Sequence, residues 1–214
     1  MKMSRNKVVS IIIAAVVLAL IAWLSVGSVG ADGLAMVRIP GKNYEIGKYE
    51  VTQAEWRTLM GDNPSSFKNC GETCPVEQVS WDDAQKFITK LNEKTGKQYR
   101  LPTEAEWAYA CLGGSKTDYC GSNDANAVAW YDNNSGDKPH PTGQKRGNGY
   151  GLHDMSGNVF EWTEDCYEAN CAKHVLRGGA WSSNSDLARV VFRGGVDPTF
   201  RGGNFGFRLA RTLR

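Results

Sequence analysis

Hydrophobic and polar positions keep a regular period in only a few stretches of the chain, and those stretches set its predicted elements. From Ala35 to Tyr49 apolar and polar residues alternate around Pro40-Gly41, which predicts a hairpin of Met36–Ile39 against Tyr44–Ile46. The period then lengthens. Trp56, Leu59 and Met60 form a stripe behind Thr52 and Glu55, which have capping-box spacing, and Gly61 ends that helix. Trp81, Ala84, Phe87, Ile88 and Leu91 give the clearest helical face, between Ser80 and Gly96. A third, short helix is predicted from Thr103, with Trp107 and Ala110 facing inward. Glu104 and Glu106 invite an acid–base reading, but Glu106 stands at the capping-box position and helix capping accounts for it.

Elsewhere the period fails. Residues 62–75 and 112–150 are rich in turn formers, and Val128–Tyr131 is the single strand-like interruption in the second loop. Between Gly149 and Trp181 the anchors Trp162 and Trp181 are flanked by glycines and polar groups, without the alternation of a half-buried strand. This predicts a shaped turn in which Gly149, Gly151, Gly157, Gly178 and Gly179 allow close backbone approach. Ser182–Arg211 is dense in glycine and arginine and ends in Phe205-Gly-Phe-Arg-Leu-Ala, read as one returning strand.

The 214 residues suit one domain. The formal charge is +2, and removing Lys2, Arg5 and Lys7 leaves residues 32–214 with 22 cationic against 23 acidic side chains, a net −1. Without a basic field, nucleic acid is not an expected partner. The three charges of the leader precede an uncharged run, Val8–Ala31, long enough to span a bilayer, and Val29-Gly30-Ala31 offers small residues for a signal peptidase. Residues 1–31 are therefore a signal peptide or a single membrane anchor. Both readings export the domain of residues 32–214 to an extracytoplasmic setting. All six cysteines lie in that part, and their order suggests the local pairs Cys70–Cys74, Cys111–Cys120 and Cys166–Cys171, among the 15 connectivities six cysteines allow.

Five pieces, in order, carry a family resemblance: Tyr49-Glu-Val-Thr-Gln, Pro75-Val-Glu-Gln-Val-Ser-Trp-Asp-Asp-Ala, Tyr99-Arg-Leu-Pro-Thr-Glu-Ala-Glu-Trp, the stretch Gly149–Trp181, and Asn204-Phe-Gly-Phe-Arg-Leu-Ala-Arg. Together they resemble the formylglycine-generating enzyme (sulfatase-modifying factor) family. The resemblance implies an α+β, C-type-lectin-like fold, loop-rich, with short helices and small antiparallel sheets. Fold alone does not fix function.

In that family two cysteines five residues apart hold the copper that oxidises a substrate cysteine. The resemblance lays them on Ser183 and Ala188, and no cysteine follows Cys171. Copper(I) needs soft thiolates, so no copper is expected. His140, His153 and His174 lie in separate loops without a two-histidine, one-carboxylate spacing. The resemblance also implies a structural calcium ion, with Asp154 and Glu161 as side-chain ligands and Gly157 and Val159 as carbonyl ligands.

The ending is similar to the variable proteins of diversity-generating retroelements, which keep an Arg-Gly-Gly-x-Trp frame and a Gly-Phe-Arg close. It implies a ligand-binding face of Trp181, Ser182, Ser183, Phe192, Gly194, Val196, Asp197, Phe200 and Asn204, open to diversification. Aromatic rings among small residues give contact area with few torsions to freeze. The expected function is an exported, non-catalytic binder of a protein or surface ligand, with membrane contact only through an uncleaved leader. The alternatives are a metal-dependent oxidoreductase of the same family with an altered site, and a structural or accessory envelope protein.

Overall fold

The computed structural model describes residues 33–213, so the predicted leader lies outside the described residues. Strands β1 (Met36–Arg38) and β2 (Tyr44–Gly47) form the expected hairpin, with Val37 opposite Ile46. Helices α1 (Gln53–Met60), α2 (Trp81–Thr95) and α3 (Glu104–Leu112) begin at Thr52, Ser80 and Thr103. Each start is a reciprocal capping box, closed by Glu55, Asp83 and Glu106 respectively, and each helix ends on a left-handed glycine, Gly61, Gly96 or Gly113. The caps satisfy backbone donors that the first turn leaves open.

The chain builds two four-stranded sheets. In the first, β10 (Ala210–Thr212) lies between β2 and β3 (Tyr99–Arg100), giving the order β1-β2-β10-β3. The second runs β8 (Gly194–Val196), β7 (His174–Arg177), β6 (Phe160–Cys166) and β9 (Phe205–Gly206), with β9 parallel to β6. A short parallel pair joins β4 (Ala129–Trp130) to β5 (Ser156–Gly157).

Two sequence expectations change here. The stretch read as a shaped turn contains β6 and β7. Phe160–Thr163 and His174–Arg177 are wholly buried, so both faces need apolar or partnered residues and no alternation appears. The single returning strand is two strands, with β9 in one sheet and β10 in the other. Within the long loop, α4 (Ala125–Val128) and α5 (Asp132–Ser135) are single turns too short to show a period.

The main apolar cluster fills the space between α1, α2 and the second sheet. Trp56 stacks on Phe87 at 5.4 Å, Phe207 meets Phe87 edge-on at 5.5 Å, and Trp162, Leu176 and Leu209 complete the packing. A second cluster places Val37, Ile39 and Ile46 of the first sheet against Trp107, Leu152 and Met155. All three expected disulfides are present, Cys70–Cys74, Cys111–Cys120 and Cys166–Cys171. Such bonds persist in oxidising compartments, and they mark an extracytoplasmic domain. Among the described residues no helix is long and apolar enough to cross a membrane.

Candidate functional site

The loop from Asp154 to Glu161 folds over three buried carboxylates and one buried guanidinium. Asp154, Gly157 and Asn158 all have positive φ, at 57°, 82° and 64°. Gly157 has a further constraint, since a Cβ there would overlap the Trp130 carbonyl oxygen of the β4–β5 pair. The tight turn sends Asn158 and Val159 toward Glu50. Asn158 Nδ2 donates to Glu50 Oε2 at 2.6 Å and the Val159 amide to Oε1 at 3.1 Å. Asn158 Oδ1 accepts from the His140 amide at 2.9 Å, which ties the long loop to the same turn.

Glu161 and Arg208 are each fully buried and paired through two bonds, Nε to Oε2 at 2.6 Å and Nη2 to Oε1 at 2.5 Å. Trp107 Nε1 also donates to Glu161 Oε2 at 2.6 Å. The remaining guanidinium hydrogens reach the Gly47 and His153 carbonyls, both at 2.9 Å. One arginine thus joins the first sheet, the central loop and β6. Burial pulls the Arg208 pKa down, but Glu161, Glu50 and Asp154 hold it above its usual value. Burial lifts the Glu50 carboxyl well above the carboxylate range, and the charges of Asp154 and Glu161 add to the rise. Burial likewise raises Asp154 to about 6.

The residues expected to hold calcium are brought together unevenly. Asp154 Oδ2 accepts from the Gly143 amide at 2.6 Å, while its Oδ1 is buried without a partner. A bare buried carboxylate oxygen suits a hard cation. Glu161 does not fit the same role, because its oxygens already receive Arg208 and Trp107. The four-residue set is therefore incomplete as a cation site. Sequence reasoning missed Glu50 and Arg208, which lie in the quoted pieces Tyr49-Glu-Val-Thr and Gly-Phe-Arg; charged residues inside apolar motifs were the available signal.

The C-terminal face is tied to this hub through the Trp181 amide, which donates to the Asn158 carbonyl at 2.8 Å. Trp181 donates from Nε1 to the Gly203 carbonyl at 2.9 Å and packs edge-on against Phe67 at 5.2 Å. Asn204 Nδ2 donates to Ser182 Oγ at 3.1 Å. Phe200 is 52% exposed and leans on Phe205 at 5.5 Å. Arg201 fixes the segment from the other side through Asp83 at 2.6 Å. Asp197 is exposed and accepts from the Thr199 amide at 2.8 Å, while Gly194 and Val196 are half-buried in β8.

Two expected face residues lie elsewhere. Ser183 is buried, and its Oγ accepts from the Ala180 amide at 3.0 Å, so it closes a turn beneath the face. Phe192 is half-buried against Phe160 at 6.1 Å, part of the packing around the main cluster. Ala188 is fully buried, and a Cβ on Gly179 would come within 2.9 Å of its backbone. The two positions that would carry copper thiolates are thus a turn hydroxyl and a close-packed methyl. The histidines are dispersed: His140 stacks on Trp130 at 3.8 Å, His153 lies near Tyr49 at 5.4 Å, and His174 stacks on Trp81 at 4.0 Å. Glu104 pairs with Arg177 and Arg193, both at 2.9 Å, and Glu106 with Arg100 at 2.5 Å.

Short helices, small sheets and loops built on a charged hub define a C-type-lectin-like fold of the formylglycine-generating type. The chain matches the profile of the sulfatase-modifying factor enzyme 1-like domain over residues 24–213, and it belongs to that family. It is 34% identical to the chaperone protein LppX of Paenibacillus barcinonensis, with 79% of this chain and 80% of that protein covered. It is 35% identical to the inactive Cα-formylglycine-generating enzyme 2 of Bos taurus over 75% of this chain, and spans only 57% of that relative's length. Among solved structures it is similar to the Treponema denticola variable protein 1, with a TM-score of 0.76 and 30% identity, covering 84% of this chain and 92% of that one.

Proposed function

We propose that this chain is an exported, non-catalytic domain that binds a protein partner through its C-terminal face. The carrying observation is the pairing of two features in one segment. The family's metal-thiolate positions are a buried Ser183 and a buried Ala188, while the same segment presents Phe200 to solvent beside Trp181, Ser182 and Asn204. A ring exposed on a fixed frame supplies contact area with few torsions to freeze. Similarity to a variable protein and to an inactive family member supports binding without turnover. Similarity to a protein named as a chaperone favours a protein as the ligand. Diversification of Ser182–Asn204 belongs to the same reading, and a reverse transcriptase gene beside a near-copy of the gene's 3′ end is the expected genomic neighbour.

The test is retention of one partner from the native host's envelope extract by the immobilised domain. Phe200→Ala is expected to abolish that retention while leaving the melting temperature unchanged. Copper-dependent oxidation of a cysteine peptide by the purified domain would overturn the proposal.

A structural calcium ion enters this reading at Asp154, on its unpartnered oxygen alone. Calcium is then expected to raise the melting temperature of the domain by mass action. The same rise in Asp154→Ala would remove Asp154 as the calcium ligand.

A further inference from the structure

The β6–β7 hairpin carries a second cluster of chemistry, outside the Ser182–Asn204 segment but joined to it where His174 pairs with Val196 of β8. Cys166 is the last residue of β6 and His174 the first of β7, and the two are cross-strand partners in the register. Cys171 returns to Cys166 through the disulfide. The two sulfurs and an imidazole nitrogen all lie within 4.8 Å of one another. His174 is only 8% exposed, with one ring face covered by Trp81, and its Nδ1 is buried with no hydrogen-bond partner. A buried imidazole nitrogen ordinarily finds a partner. Here Nδ1 has none, and the ring lies beside two sulfurs.

We propose that opening the Cys166–Cys171 bond creates a Cys2His site for zinc, with His174 as the fixed ligand and water in the fourth position. Two thiolates, one imidazole and an open position are an established zinc ligand set. The sulfurs need only part to about 3.8 Å, the separation set by Zn–S bonds of about 2.3 Å in a tetrahedron. Cys171 lies in the loop between the strands, where residues 168–172 are all exposed, so the hairpin tip can absorb that movement without disturbing the core.

The opening step requires a dithiol. Its thiolate attacks the exposed Cys171 sulfur and releases the Cys166 thiolate. Its second thiol then displaces Cys171 and leaves as the oxidised cyclic disulfide. Two electrons pass to the protein sulfurs, which take up two protons. Zinc displaces those two protons to solvent as it binds. Exposure makes this pair the first to open. Cys171 is exposed and Cys166 half-buried, whereas Cys111, Cys120 and Cys74 are buried.

The experiment treats the purified domain with limiting dithiothreitol, removes the reductant without oxygen and maps free thiols by alkylation and mass spectrometry. Cys166 and Cys171 are expected to be free while the other four cysteines stay paired. That species is expected to bind one zinc ion per chain, where the oxidised domain binds none. Zinc-edge X-ray absorption is expected to show two sulfurs and one imidazole. His174→Gln should weaken zinc binding about tenfold or more, and Cys166→Ser with Cys171→Ser should abolish it. The proposal is overturned by absence of zinc in the opened species, by absence of the imidazole signal, or by zinc retained in the double serine variant. Failure of this pair to open while the domain stays folded overturns it equally.

Discussion

Removal of the Arg208 guanidinium leaves Glu161 charged in a site with no exposed surface. Breaking one half of a buried pair typically costs about 3–5 kcal/mol. Arg208→Met is expected to lose about that much in urea unfolding, and adding Glu161→Leu should restore a large part of it. A double variant no more stable than Arg208→Met would show that the guanidinium acts mainly through the Gly47 and His153 carbonyls. Asp83 gives a pH-dependent counterpart at the surface. Burial lifts its carboxyl, and the hydrogen bonds from Arg201 and Ser80 more than reverse this, to about 2 against an ordinary 3.8. Because the folded value is the lower one, the group's contribution to stability is complete above pH 3.8 and lost as pH falls through about 2. Arg201→Ala should move the Asp83 midpoint upward in a carboxyl NMR titration. An unmoved midpoint would assign the depression to the Ser80 cap.

At the scale of elements, the capped helices and the first hairpin were legible and the centre of the second sheet was not. Thr52, Ser80 and Thr103 each announce a helix by a local side chain-to-backbone bond, and a local rule is readable in one sequence. Ser80→Ala should cost α2 about 1 kcal/mol, measurable as a lower urea midpoint. β6 and β7 were hidden because Phe160–Thr163 and His174–Arg177 are buried throughout, so neither alternates, and β9 is set apart from β10 only by its pairing with the distant β6. The site was half legible for a similar reason. Asp154 and Glu161 stand in one loop, but the residue that neutralises Glu161 is 47 positions away and Glu50 is 108 positions from the Asn158 that binds it. The turn itself rests on Gly157. Gly157→Ala adds both a positive-φ strain and an overlap with the Trp130 carbonyl, so β4 and β5 should separate. Hydrogen exchange of the Asn158 amide, which donates to Trp130 at 2.8 Å, should rise sharply in that variant; unchanged protection would show that the pair tolerates a shifted backbone.

For the whole molecule, Phe192 and Phe200 separate stability from binding. Phe192 packs against Phe160 and Phe200 faces solvent. Phe192→Ala should lower the melting temperature with a loss on the order of 1–3 kcal/mol. Phe200→Ala should leave it unchanged and weaken partner binding by about 2 kcal/mol or more if the ring is a central anchor. The reverse pattern would make Phe192 the anchor and Phe200 part of the packing. The split of the C-terminal strand has a further consequence, in time. Residues 205–212 stitch the two sheets together, and Arg208, between the two stitches, is the cation that pairs with Glu161. A nascent chain made from its N terminus therefore carries Glu50, Asp154 and Glu161, three acidic groups destined for burial, without their countercharge until Arg208 has been added. The two sheets can be joined only once residues 205–212 have been made, so the clasp also works as a timer that sets the order of assembly.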